Sequence, residues 1–266
     1  VRYDDGQAVS ENVFQALRLA GKIGFLSRGL WYDYFAKGDE RWRRRQLRYL
    51  VDRKLLTPHS NPAGQDYFIL TQKCRRMLEN ENLIGVNPSA LSQIYHDESV
   101  ARWLLFLEKD GLVSEWQTEN ELKVQQAKIY QLSRDLRNQK YPDAVFKVCA
   151  LGKERSFALE YERTQKSALR YKDILWLYSR ASSVGLVIFV CENMFIQNAI
   201  EGRLRYLGIA ELWDRVALTQ AKMWRENPST ASLQLGNKTI RLAEICERRK
   251  PEEMALSVAR CGPMDA

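Results

Sequence analysis

An unbroken apolar run of eight residues, Val184 to Cys191, constrains the architecture more than any other segment. It is far shorter than the roughly 20 residues of a membrane-spanning helix. It shows no polar alternation, so it reads as a strand buried on both faces. Such a strand needs helices packed above and below its sheet, and the flanking sequence supplies them. Residues 167–182 carry Leu169, Ile174, Leu175 and Tyr178 at helical spacing, and a further helix follows at about 195–206. Upstream, Ala144 to Ala150 and Ser156 to Glu162 read as strands with Gly152 in the turn between them. Leu112 to Gln117 reads as another strand, after a helix from Asp97 to Lys109 that Gly111 ends. The polar stretch from Thr118 to Lys140 is helical or looped, and Arg215 to Thr219 is a further candidate strand. The order helix, three strands, helix, strand predicts an α/β fold with a mixed sheet flanked by helices.

The N-terminal third follows a different rule. Residues 11–26 are helical in period, with Val13, Phe14, Ala16, Leu17 and Leu19. Residues 29–36 read as a short second helix stopped by Gly38, and Asp39 as the N-cap of a third helix running to about Leu55. Thr57-Pro58-His59-Ser60-Asn61-Pro62-Ala63-Gly64 is a cluster of turn formers, and Tyr67-Phe68-Ile69-Leu70 is a short strand after it. Three helices followed by strand, turn and strand predict a winged helix-turn-helix. A helix at 72–81 follows. The Gly/Pro/Asn/Ser-rich stretch from Asn82 to Ser92 places a boundary between a first domain, 1–85, and a second, 93–250; residues 251–266 are left as an unassigned tail.

The formal charge is +8, which suits a polyanionic partner. Much of it concentrates in the third helix. Arg41 to Lys54 holds seven basic residues and one acid, a local charge of +6. Leu47, Leu50, Val51 and the stem of Lys54 share one face; Arg41, Arg44, Arg45 and Arg48 share another, at i, i+3, i+4 and i+7. That face is either a phosphate-contacting surface entering a DNA groove or a solvated basic face.

The candidate chemistry lies in three acids. Asp143 stands at the mouth of one strand, and Glu160 and Glu162 point to the same side of the next. Two carboxylates side by side repel one another, and desolvation disfavours their charged forms. A divalent cation, Mg²⁺ or Mn²⁺, matches their hard oxygens and would remove that cost, activating water and neutralising charge on a phosphate. The alternative is that the pair lies on a solvated edge or meets Lys153, Arg155 or Arg163.

Other chemistries lack their residues. Only His59 and His96 are present, so a three-histidine metal cluster with a tyrosine nucleophile cannot be assembled. No phosphate-binding GxxxxGK[ST] loop and no GxSxG elbow occur. Tyr171 and Tyr178, seven apart, read as stacked core aromatics. Five cysteines without a CxxC pair argue against a disulfide framework or zinc ribbon and predict a reducing, cytoplasmic setting.

Pro142-Asp143, Glu160-x-Glu162 and Lys166, in this order of elements, resemble the PD-(D/E)XK nuclease superfamily with its restriction-endonuclease-like αβββαβ core. More narrowly, the chain resembles the replication-relaxation family of mobile-element proteins and the MobC-type conjugative relaxases. The likeness runs over roughly residues 10–220. It is carried by Tyr67-Phe68-Ile69-Leu70-Thr71, His96 with Val100 and Ala101, Trp116 with Glu119, Ala158 to Thr164, Arg170-Tyr171-Lys172 and Tyr178. It implies a metal-dependent endonuclease that binds double-stranded DNA at an origin of transfer and nicks one strand by water attack, with accessory mobilisation and coupling proteins as partners. Asp143, Glu160 and Glu162 would hold the metal, and Glu119 could add a ligand. The superfamily's usual lysine would stand at 162, where this chain has glutamate; Lys166 or Lys172 would reach back instead. The MobC-type group is similar in carrying two acids here. The alternative is a non-catalytic DNA-binding protein controlling replication or transfer.

Overall fold

The computed structural model describes residues 9–60, 66–81, 83, 85–87, 90–129 and 140–248. Asn61 to Gly64, the 130–139 part of the polar stretch and the tail at 251–266 lie outside these residues. The chain is of mixed α/β class and divides into two compact units. The first holds the described residues up to Arg102 and those from Asn120 to Ile129; the second holds Trp103–Glu119 and those from 140 on.

In the first unit, α1 (Glu11–Ile23) starts at Ser10, whose hydroxyl accepts from Val13 N, and ends where Gly24 turns left-handed at φ 91°. Periodicity alone extended this helix to 26, but Leu26–Ser27 is withdrawn into a strand, β1, opposite Phe68 and Tyr67. α2 (Arg28–Leu30) continues into a π-helical turn, Trp31–Phe35, and α3 is Glu40–Asp52. The strands β2 (Leu56–Ser60) and β3 (Asp66–Leu70) precede α4 (Gln72–Asn80). The three strands form an antiparallel sheet in the order β1-β3-β2.

Two expectations are corrected here. The third helix stops at Asp52, three residues early, because Lys54 adopts φ 57° and is exposed, so its stem does not share the buried face with Leu47 and Leu50. Thr57 to Ser60 are not turn but strand, each paired with β3. Pro58 is tolerated there because β2 is an edge strand.

In the second unit, the C-terminal part of α5 (Ile94–Lys109) leads to β4 (Glu115–Thr118). The helix α6 (Glu119–Ile129) leaves it, and β5 (Ala144–Ala150), β6 (Lys153–Glu162), α7 (Ala168–Arg180), β7 (Val184–Cys191) and α8 (Met194–Leu207) follow. Then come α9 (Ala210–Trp213), β8 (Val216–Gln220), α10 (Ala221–Glu226), β9 (Leu233–Leu235), β10 (Lys238–Ile240) and α11 (Leu242–Ile245). The seven-stranded sheet runs β10-β9-β8-β7-β6-β5-β4. It is antiparallel at both flanks and parallel across β6, β7 and β8. The apolar run is buried as its composition demands. Val187, Phe189 and Cys191 join a core with Ile174 and Leu175 of α7 and Ile196 and Ile200 of α8. Leu186, Ile188 and Val190 alternate with them and are also buried. Among the described residues no helix is long and apolar enough to cross a membrane.

Candidate functional site

Two constellations stand out, one in each unit. The first is the outer face of α3. Asp39 caps the helix, its Oδ1 accepting from Trp42 N at 2.7 Å, and Leu47 and Leu50 bury the opposite side. Arg41, Arg44, Arg45 and Arg48 are exposed and, with Asp39 and Glu40, line one shallow surface concavity. Arg44 pairs with Glu40 within the helix. Arg43 turns away from this group: its guanidinium donates to Gly38 O at 2.8 Å and Tyr32 O at 3.2 Å, tying the helix to the turn before it. Four of the helix's cations therefore face solvent together, while a fifth is a structural strut.

The second constellation lies where β6 passes into the core. The strand is exposed at its start and buried from Phe157 onward. Glu160 and Glu162 are each only 1% exposed, so they do not lie on a solvated edge. β6 sits between β5 and β7, with Glu160 beside Phe189 and Glu162 beside Cys191. The ion partners differ from those the spacing suggested. Lys140 Nζ lies 2.5 Å from Glu160 Oε1, which also accepts from the Tyr178 hydroxyl. Lys166 Nζ reaches back to Glu162 Oε2. Glu162 Oε1 is buried and has no hydrogen-bond partner among the described residues.

Asp143 is half-buried just before β5. Its Oδ2 accepts from Tyr161 N at 2.6 Å, continuing the β5–β6 ladder with a side chain where the backbone of β5 gives out. Its carbonyl accepts from Glu119 N at 3.0 Å, so the start of α6 touches the same corner. The electrostatics tie the acids together. Burial pushes the Glu160 carboxyl up to about 7; the Lys140 ammonium opposes that shift and the Asp143 charge adds to it. Burial and the Glu160 carboxylate hold the Tyr178 hydroxyl well above the ordinary phenol range.

Asp143, Glu160, Glu162 and Lys166 are thus gathered at one corner of the sheet. Among the described residues, however, no three His, Cys, Asp or Glu side chains stand together as metal ligands. Ammonium groups occupy the positions beside both glutamates. The two tyrosines are buried, and Tyr178 meets Phe189 edge-on at 6.3 Å. They are more than core aromatics, because the Tyr178 hydroxyl serves Glu160 and the Tyr171 hydroxyl accepts from Lys166 N at 3.2 Å. Sequence reasoning missed Lys140, which ends a polar stretch without periodicity. It also missed the triangle of Tyr161, Glu192 and Arg225 on the other side of β6. There Arg225 donates to Glu192 at 2.5 Å and to the Tyr161 hydroxyl at 2.8 Å.

His59 lies on β2 with its ring stacked 5.5 Å from that of Tyr67, and His96 sits 3.0 Å from Asp97 in the first turn of α5. Among the described residues Cys74, Cys191 and Cys246 are free thiols, and the Cys149 thiol donates to Glu247 Oε2 at 3.2 Å. Comparison with family models, with curated proteins and with solved structures returned no match.

Proposed function

We propose that this protein binds duplex DNA through α3 and cuts one strand of it at the acidic corner of the second unit. The observation that carries the binding reading is the outward face of α3: Arg41, Arg44, Arg45 and Arg48 converge on one concavity while Leu47 and Leu50 anchor the helix behind them. The succession α1, β1, α2, α3, β2, β3 supports reading this unit as a winged helix, in which α3 would enter the major groove. Arg44→Ala and Arg48→Ala are expected each to flatten the salt dependence of duplex binding by about one log–log unit. Unchanged slopes in both variants would move the DNA surface elsewhere.

The catalytic part is carried by Glu162 Oε1, a buried carboxylate oxygen without a hydrogen-bond partner among the described residues, on the same strand and face as Glu160. The donor set is all hard oxygen, which fits Mg²⁺ or Mn²⁺. Asp143, Glu160 and Glu162 do not stand together as ligands among the described residues; to hold that ion, which supplies charge neutralisation at the phosphate and a more acidic water, they would have to draw together and release Lys140 and Lys166. Lys140 and Lys166 pair with the glutamates in its absence, and Lys166 is placed to face the phosphate once its carboxylate partner is engaged. The succession α5, β4, β5, β6, α7, β7, with α6 inserted after β4 and the sheet antiparallel from β4 to β6 and parallel from β6 to β7, supports an αβββαβ nuclease core. With two acids on β6 and one before β5, the reading is a relaxase-like nickase of the MobC type, acting at an origin of transfer. Attack by water leaves ends free of covalently bound protein.

One observation favours a second reading, a non-catalytic DNA-binding protein controlling replication or transfer. The cost of burying two carboxylates is already offset by two ammonium groups, so no cation is required for the fold. Incubation with supercoiled plasmid bearing a transfer origin separates the two. Mn²⁺-dependent conversion to the open circle supports the nickase; tight binding with no conversion supports the second reading.

A further inference from the structure

Beside the four arginines, α3 carries a second stripe. Trp42 and Tyr49 lie seven residues apart on one flank of the helix, 47% and 49% exposed. Neither ring is loose. The Trp42 indole packs over Gly38, where an added Cβ would come within 2.9 Å of its Cδ1. Each ring also carries a guanidinium: Arg45 over Trp42 at 5.4 Å and Arg53 over Tyr49 at 5.4 Å. Arg53 Nη1 donates to the Tyr49 hydroxyl at 2.8 Å. That bond uses a lone pair of the phenol and leaves its O–H proton to donate elsewhere. Two large apolar surfaces facing solvent, each aligned with a cation, make an alternating apolar and positive wall. The wall of a DNA groove alternates in the same way, deoxyribose with phosphate.

We infer that the Trp42–Arg45–Tyr49–Arg53 flank of α3 is a contact surface for one sugar–phosphate strand. The rings lie against deoxyribose, Tyr49 donates to a phosphate, and Arg53 is a phosphate-binding cation outside the set of four. This rests on the proposal that α3 binds duplex DNA, and the test separates the two. A labelled mixed-sequence duplex is titrated with W42L, Y49F, R45A and R53A proteins over a range of salt. W42L and Y49F keep every charge, so each should weaken binding about three- to fivefold with an unchanged salt slope. R45A and R53A should flatten the slope by about one unit each.

Because Trp42 packs on Gly38, W42F is the control for folding. It retains a ring at that place and should recover most of the affinity that W42L loses, with the thermal midpoint of all variants recorded alongside. If W42L and Y49F bind as tightly as wild type while R44A and R48A bind more weakly, α3 binds DNA but this flank does not touch it. If R44A and R48A are also unaffected, the reading of α3 itself fails. Equal competition by the single strand alone would overturn the duplex-wall inference as well.

Discussion

Lys140→Met should destabilise the second unit by about 1–1.5 kcal/mol more at pH 8 than at pH 5. The substitution strips the ammonium from Glu160, a carboxylate 1% exposed to solvent, and leaves the Tyr178 hydroxyl as a donor to the same oxygen. At pH 8 the unpaired charge must stay buried or take a proton; at pH 5 the carboxyl is already neutral and loses little. The sign follows from linkage. The folded-state carboxyl is raised, to about 7 from 4.5, so between these values the folded protein binds more protons than the unfolded chain. Stability contributed by this group therefore falls as pH rises through that window. Removing Lys140, which opposes the upward shift, extends the window to higher pH. Urea unfolding of wild type and K140M at the two pH values measures it. An equal loss at both would mean that Lys140 contributes packing and no charge compensation.

Glu160→Ala and Glu162→Gln should each reduce plasmid nicking at least about a hundredfold while leaving duplex affinity within about twofold of wild type. The Gln variant is the sharper of the pair. It preserves the volume and an oxygen for Lys166 but removes the charge at Oε1, which has no hydrogen-bond partner among the described residues. Activity is read as the open-circle yield per enzyme with Mn²⁺, and affinity by the duplex titration on the same preparations. A Glu162→Gln protein that nicks at the wild-type rate would remove this corner from the chemistry.

Legibility in the sequence varied with the range of the interaction that decides each feature. The strand Val184–Cys191 was readable because eight apolar residues leave few other options. The outward set Arg41, Arg44, Arg45 and Arg48 was readable because helical spacing is a local rule. Thr57 to Ser60 looked like a turn, since turn chemistry is also local, but pairing with Asp66 to Ile69 overrode it. The short elements after Ala221, including β9 and β10, are too brief for a period to register. In the acidic corner, the shared face of Glu160 and Glu162 followed from strand alternation, whereas their partners did not. Lys140 lies twenty residues from Glu160 in the chain, and nothing near it in sequence distinguishes it from the other lysines of its stretch.

Pro58 has a bearing on behaviour at high local concentration. It sits within β2, one edge of the small sheet, where it has no backbone N–H to offer a further strand. A second molecule cannot zip a continuous ladder onto that side. Copies are thus kept from fusing through this edge, and any association at β2 must be built from side chains.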